Sequence, residues 1–374
     1  MNRILSDTWR DGKQRLKQLV ASSSRVTICL DGWSKKGLTA AFLGISACLF
    51  DAESGEVRHI TLGLQQLNHP HTGEQLAAAL TECLSDWSVA PEKILLVVTD
   101  NGANVVKAVR LLREANTACE LEVEDEDDVS GDNDEDEENS ETEEDDDKVT
   151  RDDISDVEAE LPLTSDVKFR RMNCMAHTLQ LIIKKVYIHY SDVLSKARHL
   201  VAKVRKSSVV TEKLMAKCGK TVIADNSTRW NSTFHMIKRL LEIKPSVAEV
   251  LSSVNIDSLL VDDWTQLEQI CVLLEPFATQ TDILQTDGMS LSSVIPAILD
   301  LQCHLQQFAA GRDLTRAMLA DMAVRFAAIM DPTDPQFNPL PAAACLVDPN
   351  LATVLFTTGG GVIEYAKAFL VQEV

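Results

Sequence analysis

The sequence predicts an α/β domain built on a mixed, partly parallel sheet, followed by an all-helical region. Three observations carry that prediction. Two continuous apolar runs, Val26 to Leu30 and Ile94 to Thr99, each lead into an aspartate and then into turn-forming residues, the pattern of strands buried in an α/β sheet. Between them lie two further strand-like stretches and one helical period. After residue 190 the apolar spacing is that of helices almost throughout.

Taken in order, residues 1–19 read as an N-terminal helical segment, and the first strand closes on Asp31-Gly32-Trp33-Ser34. Strands at Ala41 to Phe50 and Val57 to Leu67 follow, joined by the polar turn Asp51 to Glu56 as in an antiparallel meander. From Gly73 to Trp87, Leu76, Ala79, Leu80, Cys83 and Leu84 mark one helical face. The strand ending at Asp100 comes next, then a helix from about Gly102 to Leu112. This β-β-β-α-β-α succession is the ribonuclease H-like order. It sets the first and fourth strands side by side in parallel, so Asp31 and Asp100 become neighbours at the sheet end where open α/β sheets bind ligands, with carboxylates expected within roughly 8 Å. A fifth strand is expected from Val167 to Asn173, and a helix from near Ala176.

The expected organisation is therefore a ribonuclease H-like domain over 20–190, a helical domain over 191–345, and a poorly ordered tail over 346–374, with poor order expected from beyond Asp331, where the sequence is rich in proline, alanine and glycine. The firmest helical periods run from Trp264 to Leu284 and from Val294 to Phe308, while Val193 to Cys218 reads as a basic helix or helix pair.

Charge divides the chain sharply. The formal net charge is −21, yet between Glu120 and Glu160 there are 24 acidic residues against Lys148 and Arg151, a net of −22. The rest holds 34 basic and 33 acidic residues, a net of +1. A stretch so acidic and so poor in bulky apolar residues cannot offset its ordering entropy by burial, so 120–165 is expected to be a disordered loop inserted in the first domain. Solvation is its simplest role, and contact with basic nuclear proteins or mimicry of nucleic-acid charge is the sharper one. The nine cysteines form no Cys-x-x-Cys pair, no secretory signal opens the chain and no apolar run reaches membrane-span length, which points to a reduced intracellular compartment and no membrane.

Two carboxylates at one sheet edge are the donor set of a hard divalent cation, so Asp31 and Asp100 are candidate ligands for Mg2+ or Mn2+. The competing reading makes each a turn residue or helix cap. Cys174 and His177 stand at Cys-x-x-His spacing, but no second pair at zinc-ligand spacing follows, and packing at a strand-helix junction is expected rather than zinc. Trp230 falls on one helical face with Phe234, Ile237 and Leu241 and so reads first as core. Arg229 beside it, and Lys203, Arg205 and Lys206 among the basic residues from Lys196 to Lys217, are candidates for phosphate contact.

Four ordered blocks carry a family resemblance. Asp31-Gly32-Trp33-Ser34, Thr99-Asp100-Asn101-Gly102-Ala103-Asn104, Arg171-Met172-Asn173-Cys174-Met175-Ala176-His177 and Thr228-Arg229-Trp230-Asn231-Ser232-Thr233 resemble, in sequence order, the motifs of hAT-type transposases and of the zinc finger BED proteins derived from them. Leu273 to Phe277 and Ser290 to Leu305 are similar to the family's helical insertion, and the resemblance spans about residues 20 to 350. It implies a metal-dependent Asp-Asp-Glu site using Asp31 and Asp100, a tryptophan at Trp230 that handles an unpaired base, and DNA as partner in the nucleus. It also marks departures. No Ser-x-x-Glu-Arg block follows the helical segment, where only Glu364 and Glu373 stand, and no BED finger precedes Cys29. The expectation is a catalytically incomplete, transposase-derived nuclear protein acting in DNA binding or transcription-related regulation. An active transposase fragment and a protein-interaction scaffold are the alternatives.

Overall fold

The structure is a computed structural model that describes residues 2–34, 41–67, 71–121, 170–226, 230–254, 258–284, 286, 290–358 and 360–373. The acidic stretch expected to be disordered therefore lies outside the described residues from 122 onward. The chain forms two compact units, Met1–Asn173 and Cys174–Val374, parting at Asn173 rather than near residue 190.

The first unit holds a five-stranded sheet in the order β3-β2-β1-β4-β5, made of β1 (Val26–Ser34), β2 (Ala41–Asp51), β3 (Glu56–Leu67), β4 (Ile94–Thr99) and β5 (Arg170–Asn173). β1 and β2 pair antiparallel, as do β2 and β3; β4 runs parallel to both β1 and β5. This is the ribonuclease H-like arrangement that the element order predicts. Strand alternation sends Val26, Ile28 and Leu30 into a core shared with Leu43, Ile45, Ala47 and Leu49 of β2. Their neighbours Thr27, Cys29 and Asp31 face the other side and are half-buried or exposed, so β1 is closed on one face, not on both as its apolar run suggests.

Helices α1 (Asn2–Ser22), α2 (Gly73–Asp86) and α3 (Ala103–Leu121) contribute to the same core through Val20, Leu76, Leu80, Ala108 and Val109. Thr72 caps α2 by accepting from the Gln75 N–H at 3.3 Å. Just past its end, buried Trp87 donates its indole N–H to the Leu62 carbonyl at 2.7 Å, pinning the helix to β3. Lys13 and Lys17 of α1 both reach Asp86, which ties the N-terminal helix to the same corner.

The second unit shows helices joined by loops and no strand among its described residues. It comprises α4 (Met175–His189), α5 (Ser191–Lys206), α6 (Ser208–Cys218), α7 (Trp230–Glu242), α8 (Lys244–Ser253), α9 (Val261–Leu284), α10 (Val294–Gln307), α11 (Arg312–Arg325), α12 (Ala327–Met330), α13 (Leu340–Val347) and α14 (Gly360–Glu373). α9 is its axis, touching α4, α5, α7 and α10. The basic stretch is a helix pair, because Ser207 ends α5 and caps α6 by accepting from the Val210 N–H.

The tail departs from the expected poor order. Ala342, Ala343 and Cys345 of α13 and Val362 and Ala366 of α14 are fully buried, and Phe337 meets Tyr365 edge-on at 5.4 Å. Small residues that look like linker composition here let helices approach closely. Asp348 fastens the turn between them, accepting from Ser292 Oγ at 2.8 Å and from the Asn350 N–H at 3.0 Å.

Candidate functional site

Strand register builds the first part of the site. Ile28 pairs with Val97 and Cys29 with Val98 in the parallel β1/β4 ladder, and the ladder stops there. Carried two residues further, the same register sets Asp31 level with Asp100, on one face of the sheet and just past the carboxyl end of β4. One detail differs from the expectation. β1 does not end at Asp31 but continues against β2 to Ser34, so Asp31 closes only the β4 side of its strand.

Asp100 is held firmly. Its Oδ1 accepts from the Gly102 N–H at 3.2 Å, an Asx turn that leads into α3, so the turn reading and the ligand reading apply to the same residue. Arg171 of β5 grips the backbone below it, with Nε donating to Thr99 Oγ1 at 2.9 Å and an Nη2–H to the Asp100 carbonyl at 2.8 Å. This planar two-pronged grip fixes where the carboxylate starts. Asp31 is exposed, and its partner across β2 is Gly44, whose missing side chain makes room for the ring of Trp33.

Two aspartate carboxylates at a solvent-accessible edge fit one hard cation that completes its shell with water or phosphate oxygens. Among the described residues no group of three His, Cys, Asp or Glu side chains gathers. When bound, the ion would polarise a phosphate oxygen.

The second unit holds the remaining candidates. Trp230 opens α7 and is buried, its ring 6.4 Å from that of Phe234. The apolar face runs through Thr233, Phe234, Ile237 and Leu240, and Leu241 is only half-buried, one position off the predicted stripe. A polar network fixes this turn. Tyr187 donates to the Trp230 carbonyl at 2.8 Å, Arg198 Nε to Asp225 Oδ2 at 2.7 Å, and Thr233 Oγ1 to the same carboxylate oxygen at 2.9 Å. Burial pushes the Tyr187 phenol well above its usual range, so it stays a donor at any physiological pH. Arg229 lies outside the described residues.

On α5 the buried Val193, Ala197, Leu200 and Val204 face inward and the basic residues face out. Lys196 is committed, bridging Asp192 and Asp263 at 2.9 and 3.0 Å. Lys203, Arg205 and Lys206 are exposed and make no ion pair among the described residues. Lys203 borders a groove of about 430 Å³ with His199, Ser195 and Leu260. Cys174 sits immediately before α4 with its carbonyl accepting from the Thr178 N–H, and His177 lies in the helix's first turn, half-buried.

Sequence reasoning passed over Tyr187 and Asp225, quoted Arg171 only as part of a block, and counted Arg198 among the basic residues for phosphate, whereas here it is committed to Asp225; each role depends on a partner 8 to 72 residues away that no local spacing reveals.

Comparison with known proteins decides the lineage. The ZBED1 RNase-like domain family model matches residues 29–124, and the ZBED1 RNase-like helical domain model matches residues 172–273. The chain belongs to the hAT-type, transposase-derived family of zinc finger BED-like proteins. Among its relatives, "Zinc finger BED domain-containing protein 4" of Homo sapiens is 28% identical over 200 residues, 50% of this chain and 17% of that protein. "Putative transcriptional regulator tpeD" of Talaromyces stipitatus is 25% identical over 337 residues, covering 81% of this chain and 34% of the relative. "Putative AC transposase" of Zea mays is 21% identical over 373 residues, covering 94% and 40%. The chain thus spans well under half the length of each. In this hAT-type chain Asp31 and Asp100 fall inside the first matched segment, and Cys174, His177, Trp230 and the α5 basic residues inside the second.

Proposed function

We propose that this chain is a DNA-binding nuclear protein of the hAT lineage that keeps a two-carboxylate edge, recruits one divalent cation there, and by itself does not cut DNA. The observation that carries the reading is the β1/β4 register that sets Asp31 level with Asp100. In-line displacement between two metals needs a further ligand to fix the second ion opposite the leaving oxygen. Within these residues the glutamates beyond α11 are Glu364 and Glu373, both in α14 and in no recognisable block. Lys203, Arg205 and Lys206 supply phosphate contacts, with Arg229 beside the Trp230 turn. A transcription-related role agrees with the name of the Talaromyces relative, and nuclear residence follows from that role. Among the described residues no helix is long and apolar enough to cross a membrane.

A second reading, metal-dependent strand cleavage, is favoured by the same carboxylate register. The two separate in one experiment. Purified protein is incubated with DNA carrying transposon ends in Mg2+ or Mn2+, beside an Asp31→Ala, Asp100→Ala double variant. Binding without cleavage is the expected result. Metal-dependent cleavage that the double variant lacks would put the enzyme first, and no DNA binding at all, even at low salt, would remove both readings.

A further inference from the structure

Two bulky apolar side chains lie in water at the start of α9. Leu260 is 69% and Val261 84% exposed, although Trp264 and Leu267 just beyond them are buried. A single exposed leucine needs no explanation, but a pair at the rim of a groove does. Leu260, with half-buried Leu259 beside it, lines one side of the groove of about 430 Å³, and α5 forms the other side.

The α5 side is polar and cationic. Ser195, His199 and Lys203 recur every fourth residue and so share one stripe, about 12 Å long at the helical rise. His199 and Lys203 are exposed. The acids nearest this stripe are already taken: Lys196 bridges Asp192 and Asp263, which leaves Lys203 without an ion pair among the described residues. Asp263 is buried and ties the two sides together, its Oδ1 accepting from Lys196 Nζ at 3.0 Å and its Oδ2 from the Leu260 N–H at 2.9 Å. One carboxylate therefore holds the apolar lip at a fixed place opposite the cations.

We propose that this groove docks an acidic peptide of a partner protein, whose carboxylates meet Lys203 and His199 and whose bulky apolar side chain packs on Leu259 and Leu260. Charge complementarity selects this occupant. A purely apolar partner would cover Lys203 with no charge to answer it. DNA offers charge but nothing to bury the leucines, and it would set its closely spaced phosphates beside the carboxylates of Asp192 and Asp263. A peptide alone places apolar groups between sparse carboxylates, as the two sides of the groove require. The inference goes beyond the DNA-binding reading, and Lys203 serves both ligands.

The test uses the full chain and a fluorescein-labelled synthetic peptide in which aspartates alternate with leucines, read by anisotropy at low salt. Two control peptides carry serine in place of every leucine or asparagine in place of every aspartate, and a labelled DNA duplex is measured beside them. The wild-type protein should bind the alternating peptide and hold either control at least roughly tenfold more weakly. Leu260→Ser should weaken the peptide by roughly tenfold and leave DNA affinity unchanged, whereas Lys203→Glu should weaken both. Thermal unfolding of each variant shows that it remains folded. No binding of the alternating peptide overturns the inference. So does equal binding of the serine control, which would mean bare charge attraction, and so does unchanged peptide affinity in Leu260→Ser. Each of these leaves the DNA-binding reading standing, because the duplex is measured separately.

Discussion

Asp100 has a side chain that closes the Asx turn into α3, and the β1/β4 register carried past Cys29 and Val98 sets its position level with Asp31, so the turn geometry is compatible with the proposed ligand role. The two positions stand out in the sequence because two apolar runs each lead into an aspartate. The Arg171 grip does not, since β5 is separated from β4 by the long acidic stretch and no spacing rule joins Arg171 to Thr99. Arg171→Lys keeps the charge but loses the fork that meets Thr99 Oγ1 and the Asp100 carbonyl together. It should lower stability by about 1–2 kcal/mol in chemical denaturation. A variant as stable as the wild-type protein would show that the grip is incidental.

Elements were read well where one face is apolar and the period is regular. α9, α10 and the β2/β3 meander match the expected ranges to within a few residues, and α9 passes through Pro276 without ending. α3 extends to Leu121, well past the expected end at Leu112, because its last turns are polar and give no periodic signal. The tail was misread for a physical reason: α13 is short and mostly alanine, so it shows little bulk, and α14 buries Val362, Ile363 and Phe369 behind a run of glycines that reads as a linker. Acid should test the ties that hold these elements. Hydrogen bonding from Ser292 lowers the Asp348 pKa, and that from Lys196 lowers the Asp263 pKa. A folded pKa below the unfolded value contributes stability that is fully present above about pH 4 and is lost as the pH falls through the folded value. Melting temperature should therefore drop below about pH 4, and the drop should be shallower in Asp348→Asn and in Asp263→Asn. An acid limb identical in all three proteins would assign acid sensitivity elsewhere.

For the whole molecule, fold and charge are separable. The order of strands predicted the sheet topology because the connections permit few alternatives, but nothing local marked the parting of the units at Asn173. Nearly all the net charge lies between Glu120 and Glu160, a stretch poor in bulky apolar residues. Deleting 122–153 should leave the melting temperature within about 2 °C and raise DNA affinity, most strongly at low salt. A large fall in melting temperature would show that the segment packs on a unit, and unchanged affinity at low salt would show that its charge does not compete with DNA.

The central claim is that β1 and β4 bring Asp31 and Asp100 together as one cation site. Anomalous diffraction from crystals grown with Mn2+ tests it most directly, because it locates the ion without relying on activity. The expected result is one peak bridging the two carboxylates, with ligand distances of roughly 2.0–2.6 Å, that disappears in Asp31→Asn. Carboxylates farther apart than roughly 8 Å, or a fully occupied ion elsewhere with none between them, would contradict the account.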